Sequence, residues 1–357
     1  ATTFARYAVP ISAVDSVTPA IDHTKEQLFR PFRFGQWTRL AFVGLFAGEI
    51  GSGGGCNFHV PSSTGTHHRN LMAFPAWDPA LLVPLILIAV IVVPVLWLLF
   101  IYINSRMRFV LFDSVIAKKC EVRQMWRERG GPALQYFVWQ IAFSAVSLGA
   151  MVLFIGLPAL TAFALGWFSA PREHLAGLIL GGIAVFFLFM GMMLLVLLIH
   201  VFTKDFVVPQ MALEGISAFE AWRRLLRLVD SERSRYAGYA GMKLILSIGA
   251  AFAVGIAAII LIIAVLLPIG GLGFISVLLG QGAGLTWNVF TITLAVVAGS
   301  IVLLFLLYGV SLISVPVIVF FPAYSIQFFS ARYAPLARLI YPAPPIPPAG
   351  PPSVPAI

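Results

Sequence analysis

"ALLVPLILIAVIVVPVLWLLFIYI", residues 80–103, runs for 24 residues without an Asp, Glu, Lys, Arg or His. A helix rises 1.5 Å per residue, so this stretch reaches about 36 Å and exceeds the roughly 30 Å hydrocarbon layer of a bilayer. The apolar side chains do not alternate with polar ones, which excludes a strand of a membrane barrel. The segment therefore reads as a transmembrane helix, and its neighbours repeat the pattern. Residues 130–171 hold no charge in 42 positions, 175–203 hold only His200, and 244–331 hold no ionisable Asp, Glu, Lys, Arg or His in 88. Only 10% of the chain is charged and its mean hydropathy is +0.96. Soluble domains carry about 25% charged residues.

The runs divide at their breakers. Spans are expected near 80–103, 133–167 (kinked or ended around Gly156 and Pro158), 175–203, 244–267 and 288–314. A sixth is expected near 36–56. There "RLAFVGLFAGE" (39–49) has only nine uncharged residues between Arg39 and Glu49, which reach about 14 Å as helix. Completing the passage takes the extended glycine run "GSGGG" (51–55), so this first span is expected to be short or broken and packed inside the bundle.

Basic residues set the orientation. Segments 1–39, 104–132, 204–243 and 322–357 carry 5, 7, 7 and 2 of the 23 Lys and Arg, leaving only Arg69 and Arg172 elsewhere. Cytoplasmic loops collect Lys and Arg. A crossing at 36–56 puts 21 basic residues inside against 2 outside; without it the split is 16 against 7. The expectation is an all-α integral membrane protein of about six spans, both termini cytoplasmic, in a bacterial cytoplasmic membrane. Residues 1–35 form an N-terminal arm, 36–340 one bundle domain and 341–357 a tail. The opening "ATTFARYAVP" has no apolar h-region, so the spans themselves are expected to direct insertion. The net charge of +9 follows from this orientation, and no nucleic-acid partner is expected. Cys56 and Cys120 fall on opposite sides, which leaves no disulfide framework.

An internal echo links "RFVLFDSVIAKKCEVRQMWRE" (108–128) to "DFVVPQMALEGISAFEAWRR" (205–224), with a weaker third copy at "VPVIVFFPAYSIQFF" (315–329). Each copy reads as a span end, an elbow and an amphipathic cytoplasmic helix. In the second copy Phe219, Trp222, Leu225, Leu226 and Val229 share a helical face flanked by Arg223, Arg224 and Arg227. That face suits the headgroup layer or a partner subunit. The tail "YPAPPIPPAGPPSVPAI" has no core of its own, so it is expected to be extended, docked on the protein or a neighbour.

Chemistry-bearing residues are few. Glu49 is a candidate intramembrane polar site beside the broken span, against the plainer reading of a helix-end residue at the interface. His200 is a weak cofactor candidate without a second intramembrane His for a bis-His haem. Cys56, His59, His67 and His68 are weak metal candidates whose spacing matches no metal motif. "GSGGG" is followed by no GK[ST], and no HExxH or GxSxG motif is present. No catalytic function, metal or cofactor is expected; bound lipid is.

The series "HTKEQLFRPFRFGQWTRLAFVGLFAGEIGSGGGCNF", "SRMRFVLFDSVI" and "DFVVPQMALEG…EAWRR" resembles an uncharacterised family of bacterial multipass membrane proteins. That family is loosely similar to the membrane domain of glycerophosphodiester phosphodiesterases. The resemblance implies a bacterial cytoplasmic membrane address and no site residues. The expected function is a non-enzymatic accessory or scaffold subunit of a larger membrane complex; the alternative is a transporter or lipid-handling protein.

Overall fold

The computed structural model describes residues 12–49, 79–168, 170–282 and 289–341. These are all helix and connecting turn, with no strand among the described residues. In chain order the helices are α1 (Val17–Phe29), α2 (Phe34–Phe46), α3 (Pro79–Ile116), α4 (Val122–Glu128), α5 (Gly130–Met151), α6 (Leu157–Ala164), α7 (Leu175–Phe202), α8 (Val208–Glu214), α9 (Ala218–Ser231), α10 (Arg233–Gly282), α11 (Val289–Ser330) and α12 (Ala334–Ile340). Single π-helical turns, Val152–Gly156 and Thr203–Val207, join α5 to α6 and α7 to α8.

Five helical stretches are long and apolar enough to cross a membrane: Val90–Ile116, Gly130–Ala164, Leu175–Glu214, Arg233–Gly273 and Phe290–Ser330. They match the five long runs. The break expected near Gly156 and Pro158 is a π turn that leaves the helical rod continuous to Ala164. The stretch expected to form a first span contributes only the 13-residue α2, and this is not one of the five. Its continuation through 50–56 lies outside the described residues, as does the tail from 342.

Apolar side chains divide by position along the rods. From Val90 to Phe100 every side chain of α3 is exposed, and so are most of 175–198 and 244–267. The buried core sits at the basic ends instead. It is drawn from Leu40 and Val43 of α2, Phe109 and Val110 of α3, Phe206 and Val207, Tyr236 and Tyr239 of α10, and Val315 to Phe329 of α11. Aromatic rings form its centre. Phe206 lies 5.0 Å from Tyr239 and 5.2 Å from Phe329, and Tyr239 stacks on Tyr324 at 5.2 Å with 7° between ring planes. Lipid solvates the outward rods as well as leucine would, so burial has no driving force there; the aromatic core forms where the rods leave the apolar run.

The echoed segments are one structural unit used three times. α3 turns at 117–121 into α4, α8 turns at Gly215 into α9, and α11 turns at 331–333 into α12. Gly215 takes the left-handed cap at φ +67°, and Ser217 then caps α9 by accepting from the Glu220 N–H at 3.3 Å, a Ser-x-x-Glu start. Phe109, Val110, Phe206 and Val207 are all fully buried, so the echo preserves core positions. α1 and α2 close this core by packing on α11. The approach is close at Gly44, where an added Cβ would meet Ile318 Cδ1 at 2.5 Å.

Candidate functional site: a buried ion cluster at the end of α2

α2 ends against α3, beside a cluster of buried charge drawn from α3, the π turn Thr203–Val207 and α10. After the Ala47 cap the chain reverses at Gly48, whose φ of +75° is a left-handed conformation that costs a side-chain residue about 1 kcal/mol or more. The turn delivers the Glu49 carboxylate, 3% exposed, to Lys204 as a buried ion pair. The π turn places Lys204 and its sequence neighbour Asp205 on separate partners. Asp205 pairs with Lys243 and accepts the Tyr239 hydroxyl at 2.9 Å. Pro209 causes the widened turn. It has no N–H for the Asp205 carbonyl and its ring crowds that oxygen, so the Val208 N–H reaches back to Thr203 instead.

Arg108 completes the cluster. It is 5% exposed, and its Nη2 donates to the Ala47 carbonyl at 2.8 Å, at the negative end of the α2 dipole. Its Nε and Nη1 are buried and have no hydrogen-bond partner among the described residues. The guanidinium carbon sits 6.0 Å from the Tyr136 ring centroid. Beside it Asn104 donates to the Phe46 carbonyl at 2.9 Å, accepts from Gln140 at 3.3 Å, and the Gln140 carbonyl accepts from Ser105 at 2.5 Å. A cavity of about 20 Å³ is lined by Glu49, Arg108, Lys204, Asp205 and the apolar walls of Leu111, Phe112, Val208 and Pro209. It has room for one water-sized species.

Of the residues singled out from sequence, Glu49 is at the centre of this cluster. Lys204, Asp205, Lys243 and Arg108 are its unforeseen members. Each lies within a few residues of the end of an uncharged run, which is where snorkelling charges are also found, so position alone did not distinguish them. His200 is exposed one helical turn before Lys204. Cys56, His59, His67 and His68 lie outside the described residues, and no group of three or more metal-ligating side chains occurs among the described ones. The α9 face is split. Leu225 is buried and Trp222 half-buried against Trp139 at 6.3 Å, whereas Phe219 and Leu226 are 73% and 55% exposed. Arg223 is held by Glu220 at 2.7 Å and Arg224 by Glu214 and Glu220, leaving Arg227 as the exposed arginine of the trio without an ion-pair partner.

Burial shifts the titratable groups Cys120 and His23, which lie outside the spans. Desolvation pushes the Cys120 thiol up, with the Ser114 hydrogen bond and Arg39 opposing. Desolvation pulls His23 below the ordinary imidazole value, against the hydrogen bond it makes with the Val115 carbonyl at 2.8 Å.

Long apolar rods, a core confined to their charged ends and ions paired inside it define a multipass helical membrane protein. The chain belongs to DUF7544, a family of unknown function whose model matches residues 11–339. No curated protein and no solved structure matches it. The comparisons carry no link to glycerophosphodiester phosphodiesterases.

Proposed function

We propose that this protein is a non-catalytic scaffold or accessory subunit of a larger assembly in the bacterial cytoplasmic membrane. Its termini are both inside and lipid is bound along its rods. The observation that carries the reading is the bare circumference of α3. Val90 to Phe100 is about three helical turns, and every side chain in it is exposed, Ile91 at 67% and Val95 at 57%. A stretch of span that turns no face to the described part of its own chain is free to pack on another protein. The self-paired ions and one-water cavity also favour a rigid support over a permeation path. A photo-crosslinking residue at Ile91 or Val95, activated in intact cells, should give a discrete protein–protein adduct. Adducts with lipid alone, together with a 38.8 kDa monomer after extraction in mild detergent, would overturn the proposal. The proline tail is expected to strengthen association, so deleting 341–357 should loosen the complex without preventing membrane insertion.

The alternative, a transporter or lipid-handling protein, is favoured by the gathering of five ionisable groups at the span ends, since such groups commonly mark ion or substrate routes. It requires the cavity at Glu49 to open. Substrate-dependent flux in proteoliposomes that Glu49→Gln abolishes would support it. For topology, the asymmetry of basic residues predicts that S63C reacts with an impermeant thiol reagent from the periplasmic side of intact cells.

A further inference from the structure

We propose that the groove between α2 and α4 is a headgroup site for one anionic phospholipid, whose phosphodiester is held by arginines. The groove is open, about 1030 Å³ in volume, and is lined by Arg39 and Phe42 of α2 and by Glu121, Arg123, Arg127 and Glu128 around α4. All six residues are exposed. α4 folds back to the level at which α3 leaves its apolar run. Arg106 Nη1 donates to the Trp126 carbonyl at 2.7 Å, and the Arg106 guanidinium lies 5.4 Å from the Tyr102 ring and 5.3 Å from the Trp126 ring. Aromatic rings and arginines gathered at the end of an apolar run mark the boundary between hydrocarbon and headgroups. α2 runs antiparallel to α3 across the same boundary. Arg39 Nη1 donates to the Cys120 carbonyl at 3.4 Å, at the elbow, whereas the Phe46 carbonyl meets Asn104. The exposed face of α2 therefore passes from Arg39 through Phe42 to Leu45, 50% and 45% exposed, as it approaches the apolar rods. A phospholipid presents the matching order, with charge outside and chains inside.

Charge selects the headgroup. Among the described residues no carboxylate pairs with Arg39, Arg123 or Arg127. The neighbouring cations Lys118 and Arg129 are paired, with Glu26 and Asp113. Glu128 accepts instead from the Gln124 amide at 2.9 Å. Three arginines against Glu121 and Glu128 leave the groove with one net positive charge, which suits a singly charged phosphodiester better than a doubly charged phosphomonoester. The planar guanidinium fork is matched to two phosphate oxygens at once.

This site is independent of the scaffold reading, since lipid selectivity can fail while α3 still crosslinks to protein. The full-length protein is released from vesicles of equal parts dioleoyl phosphatidylglycerol, phosphatidylethanolamine and phosphatidylcholine and read by native mass spectrometry. One phosphatidylglycerol should be retained over either uncharged-overall lipid by about 10-fold. Arg123→Gln with Arg127→Gln should abolish the preference at an unchanged unfolding midpoint. Arg227→Gln with Arg233→Gln, two exposed arginines elsewhere, should keep it. Should the groove variant not fold, a phosphatidylglycerol with a photoreactive headgroup reads the same site in the wild-type protein, labelling peptides that span 39–42 and 121–128 ahead of all others. Equal retention of the three lipids, or an equal loss of preference in both double variants, would overturn the proposal. So would displacement of the bound lipid by inorganic phosphate, or labelling spread evenly along the rods.

Discussion

Removing the Glu49 carboxylate by Glu49→Gln should unfold the protein far more readily than any exposed substitution. Glu49 and Lys204 form an ion pair with side chains 2% and 8% exposed. The amide keeps the shape and removes the charge, so the lysine is left buried without its ionic partner. Breaking one member of a buried pair costs about 3–5 kcal/mol. For a chain of 357 residues that corresponds to a fall of about 4–7 °C in unfolding midpoint. The assay is thermal unfolding in detergent, followed by helical signal and by tryptophan fluorescence from Trp139 and Trp222, which flank the core. A double variant, Glu49→Leu with Lys204→Met, removes both charges and should recover most of the loss, because paired charges gain little over apolar side chains of similar volume. The Glu49→Leu and Lys204→Met singles and the double together form a cycle whose coupling should exceed about 2 kcal/mol. A loss below about 1 kcal/mol for Glu49→Gln, or additive singles, would refute the claim that this pair locks α2 to α7.

Other outcomes follow from single contacts. Gly44→Ala places a Cβ about as close as 2.5 Å to the Ile318 side chain and should destabilise by about 1–3 kcal/mol; adding Ile318→Ala should cost less than the two singles sum to, as read by urea unfolding. His23 has a folded pKa below its ordinary value of 6.5. The unfolded chain therefore takes up the proton first, so stability is fully present above about pH 6.5 and declines as pH falls below it. The pH dependence of the unfolding midpoint should flatten in that range in His23→Gln. Cys120 is 4% exposed with its thiol pushed up by burial. The folded, detergent-solubilised protein should react slowly with maleimide at neutral pH and completely once denatured; fast labelling of the folded protein would contradict its burial.

Five spans were legible because a run such as 80–103 has only one inexpensive environment. The elbows were legible at Phe109-Val110 and Phe206-Val207, where the echo coincided with buried core. The cluster was not. Glu49 and Lys204 are 155 positions apart, and no local pattern reports a partner at that distance. The π turn that separates Lys204 from Asp205 depends on Pro209 acting within a continuous helix, where proline is as easily read as a simple kink. α9 shows the same limit in another form: Phe219 and Leu225 share an apolar helical pattern, yet one is exposed and the other buried, because neighbouring helices cover only part of the stripe.

The closing of the core by α1 and α2 against α11 has a consequence for biogenesis. α1 and α2 leave the ribosome long before α11, the span on which they pack, with Gly44 waiting for Ile318. Each rod can enter the bilayer as it is synthesised, but α1 and α2 cannot complete the burial of their inner faces until translation has passed residue 330. A nascent or truncated chain lacking α11 would therefore display Leu28, Leu40 and Val43 to the surroundings, the kind of signal that membrane proteases and insertases read. Synthesis of α11 is thus coupled directly to concealment of the inner faces of α1 and α2, and a product that stops short of it is marked for removal.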